Sequence, residues 1–240
     1  MLKGNRQVVY VMLITASFFY SCEKEVISNL LDIDGNEYKT ITIGEQVWMA
    51  ENLKVSHYRD GTEITNVTDK AAWEALTTEA YCIYNNNASS ELDTYGALYN
   101  WYAVTNVHNI APEGWHIPTD DEWKKLEMTL GMSQSEADDS DRYRGTDEGS
   151  KLAGNADLWN SGNLESNSGF GTSGFTALPS GARVYDSDRY SFVNYTGFFW
   201  SATELNSTNA WHRNVTYKNS DILRLNNDKR FGFAIRCVKD

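Results

Sequence analysis

The sequence predicts a loop-rich globular domain built from many short strands and a few short helices. Three observations point there. Short apolar runs are separated throughout by Gly, Asn, Ser and Thr, the punctuation of strands and turns. Apolar residues alternate in several runs, such as Tyr38–Ile43, whereas helical spacing is confined to a few segments. Aromatic residues are abundant (8 Trp, 14 Tyr, 9 Phe) and Pro is scarce, a composition that folds rather than stays disordered. At 240 residues the chain suffices for one large domain or two small ones.

Residues 1–21 stand outside that fold. Lys3 and Arg6 precede an apolar run that ends at Ser21-Cys22. A basic start, an apolar middle and a small residue before the cut describe a secretory signal peptide. The run is too short and too asymmetrically flanked for a comfortable membrane span. Removing its two cations takes the formal net charge from −12 to −14. A surface this acidic repels phosphate backbones and anionic headgroups, and no basic stripe offsets it, so nucleic-acid partners are excluded.

In the mature chain, Asp34-Gly35-Asn36 falls between apolar stretches and reads as a hairpin turn. It is no calcium loop, because the glycine comes too early among the acids. Tyr38–Ile43 is a strand, and Glu45–Ala50 is its partner after a turn at Gly44. Asp69–Thr78 reads as a short helix with Ala72, Trp73 and Leu76 on one face, and Tyr81–Tyr84 as a short strand. Leu98, Trp101 and Tyr102 fall at helical spacing, which predicts a helix over Tyr95–Val104.

The segment Gly114–Leu126, GWHIPTDDEWKKL, could be an acid/base or metal site, or the start of a helix. Thr119 and Glu122 form the T-x-x-E pattern of a capping box, in which each side chain satisfies an orphan backbone N–H. Asp120 and Asp121 fall in the first turn, where acids favour the helix dipole. Pro118 and Trp123 occupy the hydrophobic-staple positions, and Gly131 suits the C′ position. Every acid thus has a structural role, and His116 has no partner at ligand spacing. Ser133–Ser150 is polar and reads as a mobile surface loop. Oxygen-rich loops suit calcium, but no spacing there supports a site. The last third is strand-like over 182–185, 190–193, 198–202, 210–216, 222–225 and 231–238.

Several segments resemble one family. In order they are DIDGNEYKTITIGEQVWMAENL, YCIYNNN, YGALYNWYAV, APEGWHIPTDDEW, SGFTALPSGAR, FFWSATE and GFAIRCVKD. They resemble the Fibrobacter succinogenes major paralogous domain of exported Bacteroidetes proteins, over residues 32–240. Pro118–Trp123 and Gly232–Cys237 are also similar to the helix start and closing strand of formylglycine-generating enzymes. That similarity implies an α+β, C-type-lectin-like fold: a few helices packed on a twisted, mostly antiparallel sheet, with long loops.

Ser21-Cys22 followed by Glu23-Lys24-Glu25 resembles the lipobox and surface-export signal of Bacteroidetes lipoproteins, with Phe19 and Tyr20 departing from the usual pattern. This implies lipidation of Cys22, a short tether over 22–31, and anchoring at the outer membrane, facing outward, with membrane contact through the lipid alone. Cys82 and Cys237 then remain, and an exported pair invites one disulfide, with two buried thiols as the alternative. The family often has a Cys where this chain has Ala111, which leaves Cys82 as the partner for Cys237.

The resemblance sets three readings of function. A recognition domain would present the loops beside the late strands, where Trp200, Glu204, Asn206, Trp211 and Arg213 would meet a glycan or protein ligand, with core packing as the alternative role of Trp200 and Trp211. The calcium-lectin residues E-P-N and W-N-D are not recognisable, Trp159-Asn160-Ser161 being a partial echo, so no metal or other cofactor is expected. A structural or adhesive envelope component is the alternative. A formylglycine-generating-like enzyme needs a cysteine pair holding copper, and Cys82 and Cys237 do not occupy that motif. No G-x-S-x-G, H-E-x-x-H or C-x-x-C occurs, and His57, His108, His116 and His212 are scattered, so no catalytic residue is assigned.

Overall fold

A computed structural model describes residues 27–86, 90–186 and 190–240. The expected signal peptide, Cys22 and half of the expected tether lie outside the described residues. The elements run β1 (Ile27–Leu31), β2 (Glu37–Ile43), β3 (Gln46–Met49), α1 (Lys70–Glu74), β4 (Tyr81–Cys82), α2 (Ser90–Tyr95), β5 (Leu98–Tyr99), α3 (Trp101–Val104), β6 (Trp115–His116), α4 (Asp120–Thr129) and α5 (Gln134–Asp138). They continue with β7 (Tyr143–Arg144), α6 (Glu148–Leu152), α7 (Asn163–Ser166), β8 (Ser180–Arg183), β9 (Tyr190–Val193), β10 (Thr196–Glu204), β11 (Asn209–Thr216), β12 (Ile222–Asp228) and β13 (Val238–Lys239). One sheet has the order β1-β2-β3-β13-β6, a second β7-β12-β11-β10-β8-β9, and β4 pairs with β5. The ladders are antiparallel except β8–β10, as expected for an α+β domain with few helices.

The early hairpins form as the sequence predicts. Gly35 (φ 79°) and Gly44 (φ 60°) take left-handed conformations in the β1–β2 and β2–β3 turns. Helix α4 is closed by the expected capping box: Thr119 Oγ1 accepts from Glu122 N, and Glu122 Oε2 accepts from Thr119 N. The central strands bury both faces. On β10 and β11, Trp200, Phe198 and His212 point into one apolar cluster with Phe233, while Phe199 and Val215 point into another with Trp48, Trp123 and Phe175. Alternation along a strand sends neighbours to opposite faces, so one strand pair serves two cores.

Four expectations are corrected. The helix expected over Tyr95–Val104 divides into β5 and the short α3, because Tyr99 exchanges backbone bonds with Phe233 and Asn100 then caps α3 by accepting from Ala103 N. Ser133–Ser150 is built rather than loose: Ser133 and Glu136 form a second capping box, and Arg144 is buried against Glu127. The strand expected over 231–238 enters a ladder only at Val238–Lys239, preceded by isolated bridges at Gly232, Phe233 and Ala234. Cys82 and Cys237 are free thiols, not a disulfide. Each is fully enclosed in its own packing cluster, Cys82 with Trp73 and Leu98, Cys237 with Met49 and Ile235.

Candidate functional site: the β10–β11 loop and its neighbouring cleft

The residues expected to meet a ligand divide into three groups. Trp200 and Arg213 are fully buried. The Trp200 indole N–H donates to Tyr99 O at 2.9 Å, and its ring packs 4.4 Å from Phe233. Arg213 lies beneath α4, donating to Asp120 Oδ1 at 2.7 Å and Glu127 Oε1 at 2.6 Å. Neither presents a face to solvent. They follow the strand pattern faithfully, but both faces of these strands are interior.

Glu204 and Asn206 are exposed and shape the loop. Asn206 Oδ1 accepts from Thr208 N, Thr208 Oγ1 and Asn209 N, which closes the hairpin tip. Glu204 Oε2 accepts from Lys229 Nζ at 2.6 Å, and the same ammonium donates to Ser207 O. Trp211 is half-buried, with the Arg224 guanidinium 3.8 Å from its ring centroid. Beside it, Asn209 Nδ2 donates to Asn226 Oδ1. The loop is therefore held before any ligand arrives, which lowers the ordering cost of binding.

Against this loop lies a cleft of about 250 Å3, lined by Ser207, Thr208, Tyr102, Asp228, Arg230 and the C-terminal end of α1. Arg230 makes a forked pair with Asp228 (2.9 and 2.8 Å), donates to Glu74 O, and stacks 4.1 Å over Tyr185. A fixed guanidinium–carboxylate pair, two hydroxyls and an aromatic ring suit a polyhydroxylated ligand with an apolar face. The sequence hid this group. Tyr102 sits on α3 and Arg230 follows β12, and nothing local brings them together.

The histidines are placed as follows. His116 is not unpartnered: Nε2 meets Glu122 Oε1 at 2.8 Å and Nδ1 meets Asp240 Oδ1 at 2.7 Å. His57 Nδ1 lies 2.6 Å from Asp34 and 3.1 Å from Ser56 Oγ. A single ring nitrogen facing both cannot be oriented by the acid while taking the hydroxyl proton, as a triad requires. His108 Nδ1 pairs with Asp60. Burial pushes His212 down to about 3, so it is a neutral core residue among Phe198, Trp200 and Phe233. Burial also pushes the Cys82 thiol up to about 12 and Cys237 higher still, which keeps both protonated and unreactive. Among the described residues, no group of three or more His, Cys, Asp and Glu is arranged to hold a metal.

Residues 41–239 match the model of the Fibrobacter succinogenes major domain. The chain belongs to that family. No curated protein and no solved structure matches it. Within the described residues, the family match spans β3 through β13, and so includes α4 with its capping box, the β10–β11 loop and the cleft beside it. Among the described residues no helix is long and apolar enough to cross a membrane.

Proposed function

We propose that this Fibrobacter succinogenes major domain is a non-catalytic recognition module of a surface lipoprotein, binding a glycan in the cleft beside the β10–β11 loop. The observation that carries the reading is the fixed Arg230–Asp228 fork set against Tyr102, Ser207 and Thr208. The signal peptide and Cys22 would anchor the module by lipid at the outer membrane. The late-strand position of the cleft agrees with a C-type-lectin-like fold. The buried, protonated thiols in separate clusters give a copper-dependent chemistry nothing to hold the metal.

A glycan array probed with the full mature chain tests this, with and without EDTA. Binding is expected, unchanged by EDTA, and lost in Arg230→Ala and Tyr102→Ala variants that keep the parent melting temperature. Silence across the array removes the glycan reading. A specific protein captured by crosslinking on intact cells would then favour the adhesive alternative. Palmitate incorporation lost in Cys22→Ala tests the anchor.

A further inference from the structure

A second cleft, of about 360 Å3, is lined by residues of β2, the segment after β3, the end of α2, and Asn155 and Thr176. Its polar lining includes Lys39, Glu51, Lys54, Asp93, Asn155 and Thr176. Beneath it is Arg236, which has no solvent exposure. The guanidinium donates to Asn52 Oδ1, Met49 O, Phe175 O and Thr176 O, so four of its five N–H groups have acceptors. All of those acceptors are neutral. Among the described residues, Arg236, Lys39 and Lys54 form no ion pair.

A buried cation with no carboxylate bonded to it is costly, and here burial pulls Arg236 down to about 9. Two of its acceptors, Asn52 and Thr176, themselves line the cleft, so its charge lies directly below the floor. Glu51 offsets part of this charge and also accepts from the Lys39 backbone N–H at 2.9 Å, so three cations, Arg236, Lys39 and Lys54, stand here against two carboxylates, Glu51 and Asp93. Backbone strain gathers at the same place. Thr176 (φ 58°) and Asn155 (φ 60°) both adopt left-handed conformations, a costly one for β-branched Thr176. The Arg236 bond to Thr176 O and the Thr176 Oγ1 bond to Gly174 O hold the first in place.

We propose that this cleft binds an acidic monosaccharide, its carboxylate between Lys39 and Lys54 above Arg236 and its hydroxyls on Asp93 and Asn155. The volume lies at the lower end for small-ligand sites, which suits one sugar ring rather than a chain. The site is separate from the cleft at Arg230 and does not depend on it.

The test is ligand-observed NMR on the full mature chain, with D-glucuronate as probe and D-glucose as its neutral counterpart. Glucuronate is expected to bind saturably and glucose not to. Each charge-assisted hydrogen bond is worth enough that Lys39→Met with Lys54→Met should weaken glucuronate roughly tenfold or more. Both lysines reach solvent, so this variant should keep its fold, checked by its melting temperature, whereas Arg236 variants need not. No glucuronate binding, equal glucose binding, or binding untouched by the lysine variant overturns the proposal. Binding lost in Arg230→Ala but kept in the lysine variant would move the ligand to the other cleft, overturning this inference and sparing the proposed function.

Discussion

Asp120 and Glu122 share the first turn of α4, yet their surroundings differ in kind. Asp120 is almost fully buried and accepts from Arg213 (2.7 Å) and Arg224 (2.7 and 2.9 Å). One helix turn and more along, Glu127 takes Arg213 (2.6 Å) and Arg144 (2.9 Å) with no exposure at all. Glu122 lies at the rim, where it completes the cap and meets His116. Identical chemistry thus serves two ends. In the interior it welds α4 to β7, β11 and β12, and at the rim it gives a solvent-screened contact. Burial decides which, since removing one member of a buried pair strands the other, while a rim pair falls back on water.

The interior network should break hardest. Glu127→Met leaves Arg144 without its carboxylate and Arg213 with only Asp120, and is expected to cost about 3–5 kcal/mol in chemical denaturation. Adding Arg144→Met to Glu127→Met should recover part of that loss, because one stranded charge goes with it. If the double variant is no more stable than the single one, the pair is not coupled as the geometry indicates.

A middle-sized effect is expected at Asp120 and only in acid. Burial opposes its ionisation, but the bonds from Arg224 and Arg213 outweigh burial and hold the carboxyl down to about 2. A folded value below the unfolded one gives stability that is present above the unfolded value and lost as pH falls through the folded value. Asp120→Asn should therefore reduce stability at neutral pH. It should also remove about 2 kcal/mol of acid dependence between roughly pH 4 and pH 2. Denaturation midpoints across that range measure it, and an unchanged acid limb in the variant would reject the assignment.

What the sequence disclosed follows the same divide. The capping box and the two N-terminal hairpins are local patterns, and the fold keeps them. The arginine partners of Asp120 lie 93 and 104 residues away, and those of Glu127 17 and 86 residues away. No spacing rule reaches so far, so Asp120 reads as a dipole partner when it is also an interior anchor. Trp200 and Arg213 show the converse limit. Alternation marks them as strand residues, but which face is wet depends on what packs over it, and here α4 and the Phe233 cluster cover both. The two clefts were invisible for the same reason: Arg230, which lines one, bonds Glu74 156 residues away, and Arg236, beneath the other, bonds Asn52 184 residues away.

The smallest effect should come from the rim, at His116. Partial burial disfavours its charge, but the bonds to Asp240 and Glu122 outweigh this and raise the imidazole above its ordinary value of 6.5. The groups facing it are Glu122 from α4 and Asp240 from the chain's end, both acidic, with Thr119 bonded to the same Glu122. A raised value means that the stability is fully present below about pH 6.5 and is lost as pH rises through the folded value. The wild type should thus melt lower at pH 8 than at pH 6, by less than about 1 kcal/mol because the contacts are solvent-screened. His116→Gln keeps hydrogen-bonding capacity without the proton, so its melting temperature should vary less over that interval. Parallel profiles for the two proteins would mean that the contact between β6, α4 and the C-terminal residue carries no charge-dependent stability, and that the contrast between rim and interior is one of geometry alone.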